Sequence, residues 1–109
     1  MTIVYKVLGQ AQTTANTVTT VYTVPSGNSA VVSTVNVCNQ NLSSDYFRLA
    51  VVPAGQTLSA KHYIAYNTVI PALDAISITM GITLAASDTI QIFANTANVS
   101  FSVFGSEIY

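Results

Sequence analysis

Ile76-Ser77-Ile78-Thr79-Met80-Gly81-Ile82-Thr83-Leu84 decides how this chain folds, because every even position is apolar and every odd position is small or hydroxylated. A period of two puts alternate side chains on opposite faces of a strand, so one face meets a core and the other does not. The same period recurs outward from this stretch in both directions. It predicts further strands over residues 2–8, 17–24, 30–38, 46–52, 61–66, 89–95 and 99–104. Between them lie Pro25-Ser26-Gly27-Asn28, Asn39 with Gln40 and Asn41, Pro53-Ala54-Gly55, Pro71 to Asp74 and Ala85 to Asp88, segments rich in residues that suit turns. No segment reads as an amphipathic helix. About eight short antiparallel strands around one core imply an all-β sandwich, either a jelly roll or an immunoglobulin-like Greek key.

The length of 109 residues suits one such core. Residues 1–16 read as a β-capable arm followed by a linker, and residues 17–109 as the sandwich body. Within the arm, Ile3-Val4-Tyr5-Lys6-Val7-Leu8 is strongly strand-forming, whereas residues 9–16 have no apolar face to bury. The arm is therefore expected to pair either with its own sheet or with that of a neighbouring copy.

Only three Lys/Arg and four Asp/Glu side chains are present, 6% of the chain against roughly a quarter in an ordinary soluble domain, while half of the residues are hydrophobic. Thr, Ser, Asn and Gln fill the surface instead. They hydrogen-bond well but supply little repulsion between copies, which favours a self-associating building block over a freely diffusing enzyme. Lys6, Arg48 and Lys61 are scattered and the net charge is −1, so no basic footprint for nucleic acid exists. The apolar stretches are too short for a membrane-spanning helix, and the N-terminus lacks the pattern of a secretory signal, so synthesis in a cytosol is expected.

Candidate catalytic groups are sparse. His62 is the only histidine and has no sequence neighbour that would orient it as a base; no Gly-x-Ser-x-Gly elbow is present. Cys38, the only cysteine, is expected to be a buried core thiol rather than a nucleophile. Asp45, Asp74, Asp88 and Glu107 are dispersed rather than spaced as metal ligands, and Asp74 and Asp88 read as turn residues. These residues imply no catalytic centre, metal or cofactor.

A hairpin turning at Asn95-Thr96-Ala97-Asn98 would set Ala94 against Val99, Ile92 against Phe101 and Ile90 against Val103, with all six on one side. The same register leaves Phe93 and Phe104 facing outward on adjacent strands. Phe93 and Phe104 are thus the candidate subunit interface, with cover by a local loop as the other reading.

The succession Val21-Tyr22-Thr23-Val24-Pro25, Ala30-Val31-Val32-Ser33-Thr34, Val37-Cys38-Asn39 and Phe47-Arg48-Leu49-Ala50-Val51 resembles a family of small virion proteins of tailed bacteriophages, especially phages of cyanobacteria and other aquatic bacteria. Lys61-His62-Tyr63, the run from Gly81 to Asp88 and Phe104-Gly105-Ser106-Glu107-Ile108 resemble that family's segments in the second half. The resemblance implies a virion structural protein made in the bacterial host cytoplasm and marks no active site. The chain reads as one compact domain from Met1, without the shaft of a tail fibre, so the expected role is a capsid decoration or cement protein. Its expected partners are the major capsid protein on the outer surface of the head and further copies of itself, as a trimer, because shell decoration proteins often sit on threefold axes. A tail fibre, baseplate or receptor- or carbohydrate-binding module is the alternative, with Tyr5, Tyr22, Tyr46, Tyr63 and Tyr66 as stacking platforms.

Overall fold

The computed structural model describes residues 1–109. Eight strands form: β1 (Ile3–Gln12), β2 (Thr19–Thr23), β3 (Ser29–Asn39), β4 (Asp45–Val52), β5 (Tyr63–Ile70), β6 (Ala75–Leu84), β7 (Thr89–Ala94) and β8 (Val99–Ile108), with one 3-10 turn at Ala60–His62. The first sheet has the order β1-β8-β3-β6 and the second β2-β7-β4-β5, and all neighbours are antiparallel. The chain is thus folded in half and rolled up. β4 pairs with β5, β3 with β6, β2 with β7 and β1 with β8, each pair enclosing the last. This nesting is a jelly roll and not the immunoglobulin-like alternative.

The alternation read in β6 is the one that forms: Ile76, Ile78, Met80, Ile82 and Leu84 turn inward while the residues between them are exposed. Val35 and Val37 of β3, Phe101 and Val103 of β8, Phe47 and Leu49 of β4 and Ile90 and Ile92 of β7 fill the space between the sheets. At its centre the Phe47 ring meets that of Phe101 edge-on at 5.8 Å.

The last two strands do not form the expected hairpin. β7 lies between β2 and β4 in the second sheet, and β8 between β1 and β3 in the first. Residues 95–98 therefore arch over the end of the sandwich. The six apolar residues assigned to one side do all face the core, but β7 and β8 present them to each other from opposing sheets. Phe93 and Phe104 accordingly sit on opposite outer faces rather than on neighbouring strands. Alternation specifies which face a residue takes, not which strand lies beside it.

Two further expectations need correction. Residues 9–12, expected as linker, continue β1, whose polar side chains find partners along β8 and the adjoining arch: Gln10 Nε2 donates to Ser102 Oγ at 3.2 Å and Gln12 Nε2 to the Ala97 carbonyl at 2.8 Å. Cys38 is half-buried on the outer face, not in the core. The cause is an irregularity at Ser33, where the register of β3 against β8 steps from Val32–Gly105 to Thr34–Phe104. Beyond this bulge the odd residues Val35, Val37 and Asn39 face inward, which turns Cys38 outward.

β1 carries a matching irregularity at Leu8. The two bulges bend the sheet and press backbone against backbone, so that a Cβ at Gly105 would collide with the Val31 carbonyl and one at Gly9 with the Val21 carbonyl. Neither backbone can yield as a flexible side chain would. Gly105→Ala is expected to lower stability by about 1–3 kcal/mol, in the range of overpacking elsewhere. Gly81→Ala, where an added Cβ has open space, should change it far less; urea denaturation of the two variants checks the contrast.

Candidate functional site

The outer face of the first sheet is divided along its length. Toward the chain termini, Ile3, Tyr5 and Val7 of β1 are exposed, Tyr5 to 83%, and they lie beside Phe104 and Ile108 of β8 and Val31 of β3. Tyr5, Val7, Val31 and Phe104 line a shallow depression there, with Ser33 and Ser106 at its margin. Toward the opposite end the face is polar. Gln10 bonds Ser102, Gln40 Nε2 bonds Ser100 Oγ at 3.4 Å and Ser77 Oγ donates to Asn36 Oδ1 at 3.1 Å. Phe104 thus belongs to an apolar patch built mainly from β1, the strand-forming arm of the sequence analysis, with Tyr5 its most exposed member.

Phe93 is placed otherwise. It lies on the outer face of the second sheet directly opposite Arg48 and is only 9% exposed. The Arg48 guanidinium lies between the rings of Phe93 and Tyr66, 4.3 Å from each centroid, and its Nε donates to Asn67 Oδ1 at 2.7 Å. Tyr46 stacks beside Phe93 at 6.5 Å, and Tyr63 meets Tyr66 edge-on at 4.8 Å. The chain covers Phe93 with its own side chains. Arginine suits this position because its weakly hydrated plane stacks on aromatic faces.

One buried carboxylate remains. Glu107 faces inward near the end of β8, 7% exposed, where its Oε2 accepts from the Tyr22 hydroxyl at 2.6 Å and its Oε1 from Lys6 Nζ at 3.0 Å. Three strands from both sheets, β1, β2 and β8, meet at this group. The hydrogen bond from Tyr22, then that from Lys6, hold the carboxyl below its ordinary range against the opposing effect of burial. Burial, followed by the adjacent carboxylate, raises the Tyr22 phenol above its ordinary value. The positions are too far apart in sequence to have suggested the cluster.

The other polar groups are engaged in holding loops. His62 Nδ1 accepts from the Ser59 amide at 3.0 Å, which leaves Nε2–H to donate to Gln56 Oε1 at 2.9 Å. Asp88 receives the amides of Ala54 and Ala85, each at 2.8 Å, as a turn residue should. Buried Asn39 donates to the carbonyls of Ser43, Ile70 and Pro71. Both ring nitrogens of His62 are engaged by Ser59 and Gln56, and Cys38 lies half-buried on the outer face of the first sheet; neither is the other's hydrogen-bond partner. No three His, Cys, Asp or Glu side chains come together as a metal site would require, and no helix is long and apolar enough to cross a membrane.

No protein-family model and no curated protein matches this sequence. Among solved structures it is similar to a pentameric capsid protein isolated from metagenomic phage sequences, with a TM-score of 0.40 and 21% identity, over 95% of this chain and 62% of that one. The chain therefore spans less than two thirds of that protein's length. The jelly roll itself is defined by the strand order, independently of this likeness.

The buried cluster generates a pH profile. Glu107 contributes stability that is complete above the unfolded carboxylate value, near 4.3, and is lost as pH falls through its lower folded value. Tyr22 has the opposite sign, so its contribution is complete below about 10 and is lost as pH rises further and unfolded tyrosine ionises. Denaturation midpoints measured across pH should show both limbs. Glu107→Gln is expected to shrink the acid limb and Tyr22→Phe the alkaline one.

Proposed function

We propose that this chain is a non-enzymatic structural protein of a bacteriophage virion, and that it decorates the outside of the assembled head by bridging major capsid proteins. The observation that carries the reading is the apolar patch around Tyr5, Val7 and Phe104 on the first sheet, set in a surface with almost no charge. Such a patch favours contact with another protein over solvent. The sequence resemblance to small phage virion proteins supports the same conclusion, and so does the engagement of the polar side chains in loop and sheet contacts. Self-association as a trimer on threefold axes belongs to this reading.

The mechanism is thermodynamic linkage. A subunit that binds the assembled lattice better than separated capsomers raises the free energy needed to pull the shell apart, without any covalent step. Saturation then sets the gain.

A tail receptor- or carbohydrate-binding module is the second reading, and the second sheet carries the observation that favours it. Tyr66 is 57% exposed beside Tyr63, and the two line a shallow depression with Ser59 and Ala60.

The two readings diverge in one experiment. Heads stripped of a decoration protein should keep their geometry, lose resistance to heat or internal pressure, and regain it saturably on addition of purified protein. Stripping an adhesin would leave the heads equally robust and reduce adsorption to host cells, and that result would overturn decoration. Variants locate the contact. Tyr5→Ser with Phe104→Ser should leave the isolated fold intact and weaken head binding, whereas Phe93→Ala should cost about 1–3 kcal/mol of stability through lost burial and the lost cation–π contact.

A further inference from the structure

β1 is held unlike any other strand. None of its ten residues is buried. The core cluster of 17 residues takes at least one member from each of the other seven strands and none from β1, of which Leu8 and Ala11 merely pack against it. Its attachment is instead directional and polar: the ladder along β8, Gln10 to Ser102, Gln12 to the Ala97 carbonyl, and Lys6 to Glu107. All of these partners lie on β8 or in the arch that leads into it.

The segment joining β1 to β2 is correspondingly light. Residues 14–17 are all exposed, Asn16 takes a left-handed conformation with φ of 53°, and the segment's tie to the body is the Asn16 amide, which donates to the Ala94 carbonyl at 2.9 Å and would have to reform or break on exchange. Thr13 is fastened to the arch and to the start of β8, its hydroxyl donating to the Thr96 carbonyl at 2.7 Å and its amide to the Val99 carbonyl at 2.8 Å, so the arm is anchored up to Thr13 and a hinge follows.

We infer that β1 is an exchangeable arm, and that in oligomers the β1 of one copy lies on β8 of the next, with the hinge at residues 14–17. Exchange of an identical element preserves the contacts of the closed subunit outside the hinge, so its cost is low. The near absence of charge leaves little repulsion between copies to oppose it. The occupant is specified by chemistry. A vacated β8 would leave the buried Glu107 without its cation, which is costly, so the socket favours a strand bearing Lys at the matching position. Gly9 adds a second requirement, since any side chain there meets the Val21 carbonyl. A second copy of this chain satisfies both. The exchange is a property of the isolated protein, and its failure would leave the decoration reading untouched.

Tyr5 and Ser106 are direct partners across β1 and β8, and antiparallel partners lie within disulfide reach. Chains with Tyr5→Cys and differently tagged chains with Ser106→Cys, both carrying Cys38→Ser, would be unfolded together, refolded as a mixture and oxidised. Exchange is expected to give disulfide-linked heterodimers to the near exclusion of either homodimer. Linked dimers in statistical proportions, or none, would overturn it. Charge reversal supplies a second readout in case the cysteine variants fold poorly. In an exchanged pair, Lys6→Glu chains and Glu107→Lys chains complement each other at both sockets, so co-refolding should raise the melting temperature above that of either variant alone. A mixture that melts as the sum of its separate components would overturn the exchange.

Discussion

The edge-on contact of Phe47 with Phe101 is where the two halves of the chain meet, and the remainder of the architecture is arranged so that it can form. Phe47 comes from β4, near the innermost fold of the chain, and Phe101 from β8, in its outermost layer. To bring them together the chain must be doubled back and rolled, with consecutive strands crossing between sheets everywhere except at the β4–β5 connection. Inward alternation on each strand then completes a core of aliphatic residues around the two rings.

How much of this the sequence discloses depends on the kind of information each element carries. β6 was readable because it is an edge strand with one face inside, so alternation and burial coincide. β7 and β8 were readable in facing but not in partner. A four-residue connection such as Asn95 to Asn98 serves a hairpin and an arch equally, and only the nesting of the whole chain decides between them. No glycine or proline marks the bulge at Ser33, and beyond it Val35 and Val37 take the inward positions, so the burial expected of a lone cysteine on a Val-rich strand does not apply to Cys38. Arg48 stood in plain view between Phe47 and Leu49, but its role as a cover for Phe93 depends on β4 lying beside β7. Lys6, Tyr22 and Glu107 are joined by the roll alone.

The two outer faces represent different solutions to the same shortage of charge. On the second sheet, one arginine is spent among four aromatic rings, covering Phe93 and leaving Tyr66 outermost. On the first sheet no such cover exists at the terminal end, and the apolar residues of β1 remain open. Here the only salt bridge is turned inward, to Glu107, and does little to solvate the exterior. The second sheet still exposes Ile64, Tyr66 and Val69 on its edge strand β5, so apolar surface remains on both sheets.

The nested pairing also ranks the strands by the cost of closing the chain. β4 and β5 are consecutive and pair across residues 53–62, whereas Ile3 of β1 pairs with Ile108 of β8, a contact that encloses nearly every other strand. Loop-closure entropy rises with each enclosing layer, and topologies dominated by such distant contacts fold slowly. Of the eight strands, the earliest in sequence therefore has the costliest closure. Until that closure β1 is an unpaired ribbon of strand-forming residues. Its few buried contacts have a kinetic meaning: the core draws no buried member from β1, so the wait leaves open the strand's own apolar residues and the edge of β8 rather than the interior.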